Sequence, residues 1–288
     1  MWMLPELRLA TPASSGAYDK VLRELDMPQE EGKTDYKYED YASELAANRL
    51  PQTAALVNQR MKITLDSGRR FELEFAERNK VSWQSDDGRG TDWGEVVEVA
   101  PHTYFIDMTF AHQPRQSQTF VVNAQTRQVL GIRTIMREGD VGKEPRAVHE
   151  FSPGVLGDPA APPTGRKPAP TRDLIGLRGL YNYSPTQCFE HIYLSSQRYA
   201  WQCIRGPLRG DSDVDLATVY KFDDNQYIFA FREFGLPVST VFFYNWDQMR
   251  STGKFFAIGE DGAIANTPAG ACITKLSMAF YPLDAQPI

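Results

Sequence analysis

The sequence predicts an all-β protein: two tandem antiparallel β-barrels preceded by short helices. Three observations point there. The chain holds 16 Phe, 13 Tyr and 5 Trp, and many fall in runs that alternate with polar residues, as half-buried strands do. These runs recur about every ten residues with turn signals between them, the pattern of a meander that closes on itself. The whole series then occurs a second time.

Taken in order, residues 1–54 read as a helical arm. One short helix is expected over 19–25. Two more flank Leu50-Pro51, because the residue before proline avoids the α region. From Met61 the period changes to two. The runs 61–65 and 71–75, joined through Asp66-Ser67-Gly68, read as a hairpin. A strand over 81–84, a polar loop over 85–92, and strands over 93–99, 103–110, 118–124 and 128–136 complete a first barrel, 55–137. Residues 138–177 hold seven prolines and read as a linker. A second barrel, 178–288, has strands over 179–183, 188–194, 199–204, 217–222, 226–234, 239–246, 253–259 and 272–278.

The copies align. Phe71 falls on Phe189, Phe75 on Tyr193, Trp83 on Trp201 and Gln84 on Gln202. Tyr104 falls on Tyr227 and Asn123 on Asn245. The repeat acts as an internal control: an inward position that is apolar in one copy and polar in the other marks a candidate site. Leu73 is replaced by His191, and Phe110 by Glu233. Val81 becomes Tyr199 and Val97 becomes Tyr220. The second barrel is therefore the better candidate for a ligand chamber.

His191 can act as a general acid or base; the alternative is a buried, hydrogen-bonded histidine. The alternation through Tyr227, Phe229 and Phe231 turns Glu233 inward and Arg232 outward. A carboxyl group among rings has a raised pKa and can donate a proton at neutral pH; the alternative is a strand-end ion pair. Tyr193, Tyr199, Trp201, Tyr220, Phe229, Phe231 and Phe243 are candidates to contact a hydrophobic aromatic substrate, or else plain core. Glu190 and Asp107 have outward parity. Glu190 is expected to be solvated or salt-bridged, and Asp107 to hydrogen-bond at the surface or between domains.

Composition narrows the function. With 42% hydrophobic and 24% charged residues the chain reads as soluble and globular. It has neither a membrane-length apolar run nor a signal-peptide pattern. Lys plus Arg total 31 against 37 for Asp plus Glu, a net charge of −6; nucleic acid and anionic membranes are not expected partners. Three widely spaced cysteines, Cys188, Cys203 and Cys272, fit a reducing cytoplasm. The four histidines lack metal-ligand spacing, and neither a nucleophile elbow nor a phosphate loop is present. No metal or cofactor is expected. A homo-oligomer is permitted.

The stretches NRLPQTAAL (48–56), LDSGRRFELEF (65–75), FEHIYLSSQRYAWQC (189–203), FREFGLPVSTV (231–241) and MRSTGKFFAIG (249–259) resemble the MoaF family, named for molybdenum cofactor biosynthesis. The resemblance spans roughly 45–260. It implies two tandem calycin (lipocalin-like) domains. Some fungal members are similar to enzymes of quinolone alkaloid biosynthesis that rearrange an epoxide by acid catalysis without a cofactor, which implies an isomerase of secondary metabolism. Where the family pattern reads Trp-Arg-Glu-Lys, this chain has Phe231-Arg232-Glu233-Phe234, so a role for that lysine does not transfer.

The resulting expectation is a cofactor-independent isomerase, with His191 and Glu233 as catalytic residues in the second barrel. The alternatives are a non-catalytic lipocalin-like binding protein, or an accessory protein of cofactor or amine metabolism.

Overall fold

The structure is a computed structural model that describes residue 38, residue 42, residues 44–139 and residues 141–288. The first barrel is built from β1 (Arg60–Leu65), β2 (Arg70–Glu77), β3 (Lys80–Ser85), β4 (Gly88–Asp92), β5 (Gly94–Ala100), β6 (Thr103–Thr109), β7 (Gln116–Asn123), β8 (Gln128–Met136) and β9 (Ala147–Leu156). The second uses β10 (Ala169–Pro170), β11 (Leu177–Ser184), β12 (Gln187–Tyr193), β13 (Arg198–Arg205), β14 (Ser212–Asp223), β15 (Gln226–Arg232), β16 (Val238–Asn245), β17 (Arg250–Ile258), β18 (Ile264–Ala269) and β19 (Cys272–Met278).

The first sheet runs β4-β3-β2-β1-β9-β8-β7-β6-β5. The second runs β10-β14-β13-β12-β11-β19-β17-β16-β15, and pairing of β14 with β15 closes it into a ring. In the first sheet, Gly94 at the start of β5 lets the free edge lean onto β3. A Cβ there would lie 2.6 Å from a Val81 methyl.

The duplication holds at the level of hydrogen-bond register. Leu73 faces Trp83 and His191 faces Trp201. Val97 faces Phe105 and Tyr220 faces Ile228. Asn123 Oδ1 accepts the amides of Gln125 and Thr126, and Asn245 Oδ1 accepts those of Asp247 and Gln248. The same side chain closes the same turn in both copies.

Burial explains which strands alternate. In β2, Phe71, Leu73 and Phe75 fill the first core while Arg70, Glu72 and Glu74 face outward. β16 is buried at every residue, because one face fills its own barrel and the other packs against the first barrel. There Val97, Phe105, Val121 and Ile132 meet Ile228, Ala230, Val241 and Phe243. A polar cluster lies between the barrels as well. Lys254 Nζ pairs with the Asp107 carboxylate and donates to Ser117 Oγ at 2.7 Å. Asn266 Nδ2 (2.7 Å) and Thr119 Oγ1 (2.9 Å) also donate to Asp107. Asp107 is thus an interdomain hydrogen-bonding residue. Glu190 is salt-bridged to Arg178 and accepts a hydrogen bond from Gln202.

Three expectations are corrected. Residues 138–177 are more than a linker: β9 pairs with both β1 and β8, and its one proline, Pro153, falls just past the last residue paired with β1. The polar loop at 85–92 contains β4. No helix follows Pro51; residues 51–54 are irregular and 55–58 form a turn. This stretch spends its polar groups on the barrels instead of on itself. Asn48 N donates to Tyr183 O and Thr53 N to Val96 O, each at 2.9 Å. Arg49 and Gln52 both hold the Glu95 carboxylate. Tyr38 and Ala42 are helical. The helix expected over 19–25 lies outside the described residues.

Candidate functional site

β12, β13 and β15 turn alternate side chains into the second barrel, where they wall a cavity. Its lining is Tyr183, Phe189, His191, Tyr199, Trp201, Leu208, Phe231, Glu233 and Phe255, and a water-sized sphere can move its centre through ≈ 30 Å³ of it. One or two waters fit that space; the cavity known to hold benzene is about 150 Å³.

His191 is 3% exposed. Its ring stacks on Tyr181 at 4.1 Å between centroids and meets the edge of Tyr199 at 5.2 Å. Among the described residues none hydrogen-bonds Nδ1. Burial pushes the imidazole pKa down to about 3, so the ring is neutral at pH 7.

Glu233 follows the last residue of β15, held by a 3.0 Å hydrogen bond from its amide to Val238 O. Burial, with the nearby Asp215 and Asp213 carboxylates, holds its carboxyl well above the usual carboxylate range. Among the described residues none hydrogen-bonds that carboxyl. Its surroundings therefore favour the protonated carboxyl.

Asp215 organises this wall. It is fully buried, accepts Trp201 Nε1 at 3.0 Å, and accepts the Phe234 amide at 3.0 Å. It thereby fixes the indole and the residue next to Glu233. Burial raises its pKa to about 6. The first copy has the same clamp: Asp92 accepts Trp83 Nε1 at 2.8 Å and the Ala111 amide at 3.0 Å. What differs is the residue held. Phe110 packs its edge on Trp83 at 5.0 Å where Glu233 stands in the second copy.

Six of the nine residues singled out from the sequence share this region. His191, Glu233, Tyr199, Trp201 and Phe231 line the cavity. Phe229 packs behind it, 5.0 Å from Tyr199 and 5.8 Å from His191. Tyr193 lies deeper in the same barrel. Its hydroxyl joins those of Tyr181 (2.8 Å) and Tyr244 (3.0 Å).

Tyr220 and Phe243 are not in the site. Tyr220 stacks on Phe151 of the first barrel at 4.7 Å, and Phe243 belongs to the apolar layer between the barrels. Val97, the residue matched to Tyr220, itself lies in that layer, and β16, which carries Phe243, is buried at every residue, so the match and parity select the wrong side. Arg232 likewise turns away from the cavity, and its charge acts on His149 instead.

Sequence reasoning missed Asp215, Tyr183, Phe189, Leu208 and Phe255 as site residues. The Trp-to-Asp clamp spans 9 residues in the first copy and 14 in the second, so an ungapped alignment does not superpose it. Among the described residues no group of three or more His, Cys, Asp or Glu side chains is placed to hold a metal ion. No helix among them is long and apolar enough to cross a membrane.

Fold and site together define a tandem β-barrel protein whose second barrel encloses an aromatic-walled cavity bearing a buried carboxyl and a neutral imidazole. The chain belongs to the MoaF family. The MoaF N-terminal domain profile matches residues 36–138 and the MoaF C-terminal domain profile residues 168–279. Protein MoaF of Klebsiella aerogenes is 31% identical over 225 residues, covering 73% of this chain and 82% of that protein. A crystal structure from Burkholderia vietnamiensis, whose name places it provisionally among the β-lactamases, has 10% identity and a TM-score of 0.31. It covers 36% of this chain and 95% of that one, a likeness too low to bear on fold or function.

Proposed function

We propose that this protein binds a small hydrophobic molecule in the cavity of its second barrel and rearranges it by acid–base chemistry without a cofactor. One observation carries the reading. Two buried ionisable groups line one cavity, Glu233 and His191, where the first copy has Phe110 and Leu73. Among the described residues, neither the Glu233 carboxyl nor His191 Nδ1 has a hydrogen-bond partner. Burying such groups unpaired costs free energy, which a structural role would leave uncompensated. Burial favours the protonated carboxyl of Glu233 and the neutral imidazole of His191, so the wall offers a proton donor and a ring nitrogen that can accept.

In an epoxide rearrangement, Glu233 gives its proton to the substrate oxygen as a C–O bond breaks, and the bonding electron pair moves to that oxygen. The rings of Tyr199, Trp201 and Phe231 face the positive charge developing on carbon. His191 takes a proton from the adjacent carbon; next to a cationic centre a weak base suffices. Solvent then returns a proton from His191 to Glu233. The product is an isomer and the protein is unchanged. All three cysteines are free thiols, which supports a cytoplasmic setting.

The test uses styrene oxide, a neutral aryl epoxide, followed by NMR. Conversion to phenylacetaldehyde is expected, falling by ~10²–10⁴-fold in His191→Leu and in Glu233→Phe. Unchanged turnover in both variants would sink the assignment of roles. Apart from His191 and Glu233 the cavity lining is aromatic or aliphatic, and that composition supports a second reading, in which the barrel holds a ligand without converting it. Binding without conversion across a panel of neutral epoxides, enones and alcohols would select it.

A further inference from the structure

The hairpin after β13 differs between the copies, and the difference sits over the cavity. β3 and β4 are joined by Asp86 and Asp87 alone. β13 and β14 are joined by six residues, 206–211. The longer connection carries Leu208, which is 3% exposed and forms part of the cavity wall. The loop leaves and rejoins the hairpin through Gly206 (φ 136°) and Gly210 (φ 97°), backbone settings that few other residues adopt. Its base is tied by Gly210 N to Cys203 O at 3.1 Å and Cys203 N to Asp211 O at 2.9 Å. Pro207, beside Leu208, has no amide to donate. Beneath Leu208, the unpartnered His191 Nδ1 and the Glu233 carboxyl share a space that holds one or two waters. Among the described residues no Lys or Arg lines that space, and the Asp215 and Asp213 carboxylates act on Glu233, so an anion would be buried uncompensated.

We propose that the loop 206–211 is the cover of the second-barrel cavity, and that Leu208 is the specificity-determining residue that sets the size of the non-anionic molecule admitted, with room for a single aromatic ring gained when its side chain is truncated. The proposal rests on the reading of this cavity as the binding site. The matching space of the first copy, ≈ 20 Å³ beside Phe71, Trp83, Phe110 and His112, is lined by Arg69 and Arg133 as well and is reached by Asp87 of the short turn instead of by a longer loop.

Two measurements test it. Acrylamide quenching reports access to Trp201, taken as the difference between the protein and its W201F variant. Saturation-transfer NMR with phenol reports binding, with benzoate as the anionic control. Leu208→Ala is expected to raise the Trp201 quenching constant at least twofold and to tighten phenol binding at least fivefold. Leu208→Trp should lower both, and benzoate should bind to none of the proteins. If Leu208→Ala does not fold, replacing 206–211 by the Asp-Asp turn of the first copy should reproduce the rise in quenching. Equal quenching and equal phenol binding in all proteins would overturn the cover and leave the binding site standing. Raised quenching with no phenol binding to any of them would keep the cover and remove the binding site.

Discussion

Replacing His191 by leucine, the residue at the matching position of the first copy, should stabilise the protein, and more so in acid. Two effects set the size. At pH 7.5 the substitution removes a buried Nδ1 with no partner, and leaving such a group unsatisfied costs about 1–3 kcal/mol. The second effect depends on pH. Burial holds the His191 pKa at about 3, against 6.5 for a free side chain. A folded-state pKa that is depressed contributes stability above pH 6.5, and that contribution is lost as pH falls toward 3, because only the unfolded chain then takes the proton. At pH 4.5, two units below the ordinary value, the loss is about 3 kcal/mol. The variant does not suffer it. The stability difference between variant and parent should therefore widen from about 1–3 kcal/mol at pH 7.5 to about 4–6 kcal/mol at pH 4.5. His149, also held at about 3 by burial, is common to both proteins and cancels. Urea unfolding at the two pH values, read by near-UV circular dichroism, measures this directly. A difference that stays flat with pH would mean that the folded protein protonates His191 normally and that the cavity is wet. A variant less stable than its parent at pH 7.5 would mean that the imidazole makes a structural hydrogen bond.

Glu233→Gln should show the opposite pH trend. A raised carboxyl pKa contributes stability below the ordinary carboxylate range and loses it as pH rises, so the variant gains on its parent between pH 4 and pH 8; parallel urea curves at both ends would refute this. Lys254→Ile strands the buried Asp107 carboxylate and should cost about 3–5 kcal/mol. Adding Asp107→Ala recreates the Ile132–Ala230 contact found at the equivalent position of the duplication and should recover most of the loss in thermal unfolding. A double variant as unstable as the single one would count against an unpaired charge as the cause. Gly253→Ala should destabilise by about 1–3 kcal/mol or more, because its Cβ would fall 2.1 Å from Val241 O and 2.7 Å from Phe242 Cα. Gly131→Ala should cost less, since it meets only the movable Leu65 side chain, at 2.8 Å; equal losses would place the constraint elsewhere.

The sequence by itself determined the all-β class, the duplication, and the opposed chemistry of the two interiors. A period of two and matched aromatic anchors are local properties, and they survive into the register that pairs Leu73 with Trp83 and His191 with Trp201. The inward positions of His191 and Glu233 were legible for the same reason, because His191 sits on a strand, and Glu233 one residue past the end of another, whose parity the neighbours fix. β9 was illegible because the prolines in and around it mimic a linker, and its partners β1 and β8 decide that it is a strand. Tertiary structure alone assigned Tyr220 and Phe243 to the layer between the barrels. A strand buried on both faces shows no alternation, and only the docked partner tells inside from outside. It alone brought Asp215 behind Trp201 and folded Leu208 over the cavity, since those contacts cross a loop whose length differs between the copies. The proton states of the site belong to the same class. Glu233 and His191 hold theirs because the assembled barrel removes water from around them, and no stretch of sequence carries that property before the chain closes.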